Sequence, residues 1–176
     1  MQLLQPVTIR YGTTEDARML SEFGARAFYE AFANGNTPEN MQAYLKASFS
    51  PEIQLNELSA VDNVFLIAET ERRLIGYTQL LLDSKEESLQ GTRSLEIRRI
   101  YASPEYIGKG VGKALMSASI QEAKQSGCDS IWLGVWEKNP RAINFYKKWG
   151  FQEVGTHTFY VGDDPQHDFI MELMLA

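Results

Sequence analysis

The chain has 176 residues, of which 44% are hydrophobic and 11% aromatic, so it is long enough to bury a core as one domain spanning residues 1–176. Its formal charge of −6 at pH 7 argues against a nucleic-acid backbone as partner and mildly favours cationic partners. The single cysteine, Cys128, excludes an internal disulfide and a cysteine zinc cluster, and two separated histidines form a weak metal pattern, so we expect no metal.

The first six residues contain no basic start followed by an apolar run, and no stretch is apolar enough to cross a bilayer, so we expect a cytoplasmic protein. Residues 7–11 alternate like a first strand. Thr13 then caps a long helix that continues to about Phe32, where Asn34-Gly-Asn36 stops it. Thr37-Pro38 and Ser50-Pro51 each start a shorter helix, because proline at the first helical position loses no hydrogen bond.

The middle of the chain predicts a hairpin followed by a loop. Residues 63–69 and 74–82 are apolar or β-branched runs separated by a short polar segment, which favours antiparallel pairing. The charged segment 83–93 is predicted to be a surface loop. A strand over residues 94–102 then leads through a glycine-rich turn into a helix that ends near Gly127.

The last third predicts strands at residues 130–136, 151–160 and 169–175, with a helix from Asn139 to Gly150 after the first of them. The element order is therefore β, helices, β, β, β, α, β, α, β, β. This order indicates an α/β domain in which helices flank a central sheet.

The strand over residues 94–102 changes its alternation part-way. Leu95 and Ile97 share one face, but the next apolar residues, Ile100 and Ala102, fall on the other parity. A β-bulge near Arg98 to Ile100 restores the register, and bulges leave backbone groups free to pair with an extended ligand.

Three glycines, Gly108, Gly110 and Gly112, stand at the entry to the following helix. Their backbone can approach a ligand closely, and the first helical turn directs unpaired N–H groups outward, which suits a pyrophosphate. A P-loop is excluded because Ile107 and Ala114 replace its required residues, and a dinucleotide fingerprint is disfavoured because lysine replaces its third glycine. For the glycines alone, an ordinary strand-to-helix turn is an equally good interpretation.

The segment Ile107-Gly-Lys-Gly-Val-Gly112 resembles the Gln/Arg-x-x-Gly-x-Gly/Ala signature of the GCN5-related N-acetyltransferases (GNAT), except at Ile107. Residues 132–151 resemble the second half of that signature, with Asn139, then Ala142 and Phe145-Tyr146, then Gly-Phe in the family's order. Residues 38–45, 94–97, 131–139 and 159–163 are further similar to PaiA-type polyamine acetyltransferases, which extends the resemblance over nearly the whole chain.

The resemblance implies a single-domain fold with a mixed sheet of about seven strands, in which a bulged and splayed strand forms the acetyl-CoA site. It implies an acyltransferase that uses acetyl-CoA as cosubstrate and acetylates a primary amine of a small polyamine such as spermidine or spermine. Only an unprotonated amine attacks a thioester, so a base is needed. Family position assigns Glu96 as this base, directly or through a water, and Tyr146 as the general acid. Without the resemblance, Glu96 can also be interpreted as a strand carboxylate paired with Arg98 or a lysine. Tyr146 can then be interpreted as a core tyrosine.

The N–H of Ile100 or Ala102 is expected to stabilise the oxyanion that forms on the thioester carbonyl. Because Ile107 departs from the signature, backbone amides together with Lys109 or Lys113 would hold more of the pyrophosphate. The residues assigned to coenzyme binding are Ile100, Tyr101, Ala102, Gly108, Lys109, Gly110, Val111, Gly112, Lys113, Asn139 and Lys148.

The family places its amine groove between the early helices and the late strands. The candidates there are Glu30, Phe32, Asp163, Asp164 and Asp168. A protein N-terminus, a lysine or an aminoglycoside remains an alternative acceptor. Another alternative is a regulatory module that binds acetyl-CoA with weak turnover, to which Ile107 gives some weight. Pairing of two copies, known in the family, is also left open.

Overall fold

The computed structural model describes residues 6–176, and seven strands in it form one mixed sheet. The strands are β1 (Thr8–Tyr11), β2 (Asn63–Thr70), β3 (Arg73–Leu82), β4 (Ser94–Ala102), β5 (Ser130–Trp136), β6 (Gln152–Val161) and β7 (Asp164–Met174). The helices are α1 (Ala17–Phe32), α2 (Pro38–Phe49), α3 (Pro51–Ser59), α4 (Val111–Gln125) and α5 (Pro140–Lys148). The strand order is β1-β2-β3-β4-β5-β7-β6, and only β4 and β5 run parallel. The expected α/β order is confirmed. The expectation about a secretion signal concerns residues 1–5, which lie outside the described residues.

Local sequence signals account for the starts of the early helices. The Thr37 hydroxyl accepts a hydrogen bond from the backbone N of Asn40, and the Ser50 hydroxyl accepts one from Ile53, each at 3.2 Å. Both caps precede a proline at the first helical position, as the sequence predicts. The first predicted helix begins differently, because Thr14–Asp16 form a 3-10 turn before α1.

The predicted hairpin of β2 and β3 closes through a two-residue turn. Glu71 and Arg72 both have positive φ, 48° and 63°, which is the mirror-type turn that matches the twist of paired strands. Neither residue is glycine, so the sequence of this turn gives little sign of the conformation.

Helices cover the two faces of the sheet separately. On the face that we call the α1 face, Leu20 and Phe23 of α1 pack against Phe65, Ile67 and Tyr77 of β2 and β3. On the opposite face, which we call the α4 face, α4 and α5 pack against Leu80, Ile97, Ile131 and Leu133 among others. Alternate residues of a strand therefore belong to different halves of the core.

The predicted bulge in β4 is confirmed. Gln79 of β3 pairs with Arg99, whereas the next residue, Leu80, pairs with Ile97, so Arg98 is the extra residue. The bulge moves Ile100 and Ala102 onto the α4 face, where they pack near Val111 and Leu115. Arg99 and Tyr101 consequently point to the α1 face.

Two expectations need correction. The last strand was expected from Phe169, but β7 begins at Asp164, because a tight turn at Gly162 (φ 63°) places its polar first residues directly beside β6. Segment 83–93 is more than a surface loop: the backbone N atoms of Gln90 and Gly91 donate to the buried carboxylate of Glu172 at 2.8 and 2.9 Å. This segment therefore packs over the α1 face of β5 and β7. Within residues 6–176, no helix is long and apolar enough to cross a membrane.

Candidate active site

The sheet opens between its two parallel strands. Pairing of β4 with β5 covers Ser94, Glu96 and the residue between them, and ends where Glu96 faces Trp132. Beyond that point β4 pairs only with β3. The Ser103 N–H donates to Ile75 of β3, so by strand alternation the N–H groups of Ile100 and Ala102 point into the gap, which we call the split. The N–H of Tyr101 points to β3 instead.

The glycine-rich turn lies at the end of β4 and is open to solvent. Gly108 and Gly110 have φ of 76° and 91°, conformations that L side chains rarely adopt. A Cβ added to either would meet no atom within 4 Å, so their backbone faces open space. Gly112 differs, since its Cβ would contact the Phe145 ring of α5 at 3.6 Å.

Five of the seven amides in segment 107–113 remain for a ligand. The N–H groups of Ile107 and Lys109 donate to Pro104 and Tyr106 at 3.3 and 3.1 Å, as local turns. The first N–H bonded inside α4 is that of Ala114, which donates to Gly110. The first-turn amides of α4 are therefore unpaired at its positive end, and with the open glycines they fit a pyrophosphate.

The lysines and Asn139 differ in their contribution to this site. Lys109 lies 5.5 Å from the Tyr106 ring, and Lys113 and Lys148 are exposed, so all three have cationic groups in solvent. The Asn139 side chain accepts a hydrogen bond from the backbone N of Ala142 at 3.2 Å, which confirms that it caps α5.

Glu96 reaches the α1 face beside the split. Its Oε2 accepts a hydrogen bond from the Ser84 hydroxyl at 2.7 Å and lies 3.4 Å from the Arg98 guanidinium. The Ser84 carbonyl in turn accepts from Ser94 and from the Trp132 indole, at 2.6 and 3.1 Å. Segment 83–93 thus contacts the carboxylate of Glu96 through the Ser84 hydroxyl, and two hydrogen bonds to the Ser84 carbonyl hold that residue in place.

Tyr146 lies on the α4 face of the sheet. Its ring is buried in the α4-face core between Phe145 and Phe151, and burial raises its pKa, so the hydroxyl stays protonated at neutral pH. Burial also raises the pKa of Tyr101 well above its usual range, and the charge that Tyr146 would carry contributes to this shift.

The α1 face is exposed over β5 at Gly134, and we call this exposed region the groove. Gly134 is exposed in the middle of this central strand, whereas Leu133 and Val135 on either side are buried on the other face. The groove has Trp136 and Phe32 on one side, with ring centroids 6.0 Å apart. The polar groups around it are Glu86, Glu96, His157 and Asp168.

Comparison with known proteins adds independent evidence. The model of the Acetyltransferase (GNAT) family matches residues 25–151, which is more than half of the chain. The chain belongs to the GNAT acetyltransferase family. It is therefore an acetyl-CoA-dependent N-acetyltransferase with acetyl-CoA as cosubstrate, an acyltransferase as expected.

Relatives of this GNAT protein cover most of its length. It is 30% identical to an uncharacterized N-acetyltransferase of Lactobacillus delbrueckii subsp. lactis over 85% of this chain and 86% of the relative. It is 29% identical to spermidine N(1)-acetyltransferase of Thermoplasma acidophilum over 94% and 96%. The solved PaiA N-acetyltransferase from Thermoplasma acidophilum, in complex with coenzyme A, matches with a TM-score of 0.79 at 28% identity, covering 97% of this chain and 99% of that one.

The GNAT domain brings together some of the acceptor residues that the sequence proposes. Phe32 contacts Trp136, and Asp168 pairs with Trp136 in the sheet, so both border the groove. Asp163 and Asp164 lie at the β6–β7 turn, where Asp164 accepts a hydrogen bond from Gln166 at 3.0 Å. Glu30 is on the exposed side of α1.

Sequence reasoning missed Ser84, Glu86, Gly134 and His157 in this groove. In sequence, the charged segment 83–93 is typical of a solvated loop. Ser84 and Glu86 reach the groove only because this segment folds back over the sheet. Gly134 did carry a signal, because a glycine inside an apolar strand often marks the close approach of another group. Within the described residues, no group of three His, Cys, Asp or Glu side chains is arranged to hold a metal ion.

Proposed function

We propose that this protein acetylates a primary amine of a small polyamine such as spermidine or spermine, by direct attack of the amine on the thioester of acetyl-CoA. The observation that carries the proposal is the groove over Gly134, which meets the split at Glu96 and is bordered by carboxylates. An acidic groove attracts a polycation, and the net charge of −6 acts in the same direction. The similarity to a spermidine N(1)-acetyltransferase supports the same acceptor class.

The proposed cosubstrate site is the split together with the glycine turn. The open backbone at Gly108 and Gly110 and the first-turn amides of α4 hold the pyrophosphate, with Lys109, Lys113 and Lys148 adding positive charge. When bound, acetyl-CoA supplies an activated acetyl group. The N–H groups of Ile100 and Ala102 face the split and donate to the developing oxyanion.

The proposed proton transfers use one residue from each face. Glu96 accepts the proton of the ammonium, directly or through a water, while Ser84 holds the carboxylate in place. Tyr146 donates its proton to the departing thiolate, since its buried phenol remains protonated, and the proton that the nitrogen loses as the amide forms restores the phenol. The proposed base lies on the groove side of the sheet and the proposed acid on the other side. The amine would therefore attack the thioester from one face, and the thiolate would be protonated from the other.

The proposed compartment is the cytoplasm, and Cys128, a buried free thiol, is compatible with a reducing environment. Homodimerisation remains a proposal from the family resemblance, and the mass of the protein in solution tests it. The boundaries 1–176 of the domain are likewise proposed.

The test of the proposed function is thiol release from acetyl-CoA in the presence of a panel of amines. The panel contains spermidine, spermine, an aminoglycoside, a lysine-containing peptide and a peptide with a free N-terminus. We expect the highest kcat/KM with the polyamines. Faster release with a peptide or with the aminoglycoside contradicts the acceptor class, and tight coenzyme binding without release for any amine supports a regulatory module instead.

A further inference from the structure

Three ionisable side chains from different elements meet at the far side of the groove. His157 of β6 has its Nε2 3.5 Å from Asp168 Oδ2 of β7 and its Nδ1 3.8 Å from Glu86 Oε2 of segment 83–93. A Cβ at Gly134 of β5 would lie 2.8 Å from His157 Nε2 and 3.3 Å from Asp168 Oδ2. The cluster therefore lies directly against Gly134, on the α1 face of β5.

Asp168 is buried with little to stabilise its charge. Asp168 is 8% exposed. The only polar partner of its side chain among the described residues is the His157 ring at 3.5 Å. Other buried carboxylates of this protein are bonded more fully: Glu172 accepts two backbone hydrogen bonds, and Asp16 accepts two from Arg10. A buried carboxylate with unused acceptor capacity is suited to a cationic ligand.

The spacing to Glu96 gives the shape of that ligand. Trp132 stands beside Glu96, and Gly134 follows two residues later on β5. Standard strand geometry places the Cα atoms of Glu96 and Gly134 roughly 8 Å apart. A ligand with one amine at Glu96 and a second cationic group near Gly134 therefore needs only a short linear chain between the two.

We propose that Glu86 and Asp168, with His157 between them, form a subsite for the second ammonium group of a linear diamine or polyamine whose first amine is at Glu96. This inference rests on the proposed polyamine acetyltransferase function and deepens it. When His157 is protonated, its imidazolium pairs with the carboxylates in place of the ligand's ammonium group. The distal ammonium binds both carboxylates most strongly when His157 is neutral.

The charges that act on His157 come from two elements. The contact with Asp168 raises the pKa of His157 above its usual value, partial burial opposes this, and the charges of Asp168 and Glu86 reinforce it. The third packed element, β5, contributes only the uncharged Gly134. Because the proton and the ammonium compete for the same carboxylates, affinity for a diamine rises as pH rises through the pKa of His157.

The experiment compares diaminobutane with butylamine, which has the same carbon chain and one amine. Binding is measured by calorimetry at pH 6 and pH 8 to protein saturated with coenzyme A, which carries no acetyl group to transfer. Both amines remain protonated over this range, since the reference pKa of an alkylamine is about 10.4. We expect at least about tenfold tighter binding of diaminobutane at pH 8, which is about 1.4 kcal/mol, and a smaller ratio at pH 6.

Three variants separate the subsite from general electrostatics. Glu86→Gln should reduce the diaminobutane to butylamine affinity ratio by about tenfold, and His157→Gln should remove its pH dependence. Glu87→Gln, the same charge change on the exposed neighbouring residue, should leave the ratio unaltered. Melting temperatures confirm that each variant is folded.

Equal affinities for the two amines at both pH values overturn the subsite, and so does an equal effect of Glu86→Gln and Glu87→Gln. If thiol release from acetyl-CoA by spermidine still occurs in that case, the proposed function stands. If diaminobutane binds as expected but no amine releases thiol, the subsite stands and the proposed function fails.

Discussion

Glu96 and Tyr146, the proposed base and the proposed acid, lie on opposite faces of the sheet. Glu96 keeps a partly accessible carboxylate, with 16% of its side chain exposed and one strong partner in Ser84. Tyr146 is held in the core by Phe145 and Phe151. In the proposed mechanism, the partly exposed Glu96 accepts a proton and the buried Tyr146 donates one.

The Tyr146→Phe variant tests the proposed acid. We expect kcat to fall by about 10² or more, because proton delivery to the leaving thiolate is lost, with coenzyme affinity changed less than threefold. Steady-state kinetics and equilibrium binding of coenzyme A measure the two quantities. Tyr29→Phe, at an exposed tyrosine of α1, is the matched control. An unchanged kcat removes Tyr146 from the mechanism.

Element geometry explains why the glycine turn cannot accept other residues easily. Gly110 immediately precedes α4 with φ of 91°, and Gly127 follows the same helix with φ of 73°. Both positions use the left-handed conformation, but only Gly110 lies at the positive end of the helix, with open space around it. The two ends of α4 therefore provide a matched pair of glycines with positive φ.

Comparison of Gly110→Val with Gly127→Val separates backbone strain from ligand approach. Both variants should lose about 1–2 kcal/mol of stability, because valine is strained at positive φ. Only Gly110→Val should weaken coenzyme A binding, by at least about tenfold, because its side chain enters the space that the pyrophosphate needs. Thermal melts and calorimetry give the two numbers. Equal coenzyme affinity in both variants contradicts the assignment of the turn.

At the scale of the whole molecule, the buried cation of Arg99 joins the helical layer to the sheet. Arg99 of β4 donates to Glu57 of α3 at 3.1 Å, to Gln79 of β3 at 2.9 Å and to the carbonyl of Ser48 at 3.3 Å. Its guanidinium also lies 4.5 Å from the centroid of the Phe49 ring. Because the bulge turns Arg99 to this face, one backbone irregularity brings the guanidinium to α2 and α3.

Arg99→Met should therefore destabilise the protein by about 3 kcal/mol, since it leaves Glu57 partly buried without its partner. Urea denaturation measures the free energy of unfolding. Arg98→Met, the next residue, whose side chain is 40% exposed, should change stability by less than about 0.5 kcal/mol. The double variant Arg99→Met with Glu57→Gln should recover part of the loss, and no recovery argues against the ion pair as the cause.

Particular residues show how far the sequence leads. The parity change between Ile97 and Ile100 is sufficient to predict the bulge, because strand alternation is a local property of the backbone. The caps at Thr37 and Ser50 and the glycines before α4 are local in the same sense. Glu96 and Tyr146, by contrast, came from the family resemblance, since neither periodicity nor charge distinguishes them from an ordinary strand carboxylate and a core tyrosine.

The sequence by itself determined the element order, the bulge, the glycine turn and, through its motifs, membership of the GNAT family. Only the tertiary structure decided that segment 83–93 folds over β5 and β7, that Ser84 holds Glu96, and that Glu86 and Asp168 meet His157 above Gly134. These contacts join residues up to 82 positions apart, such as Gln90 and Glu172. Local patterns encode the conformation of neighbours in the chain, whereas such contacts arise only when the whole sheet has closed and buries the surfaces between its layers.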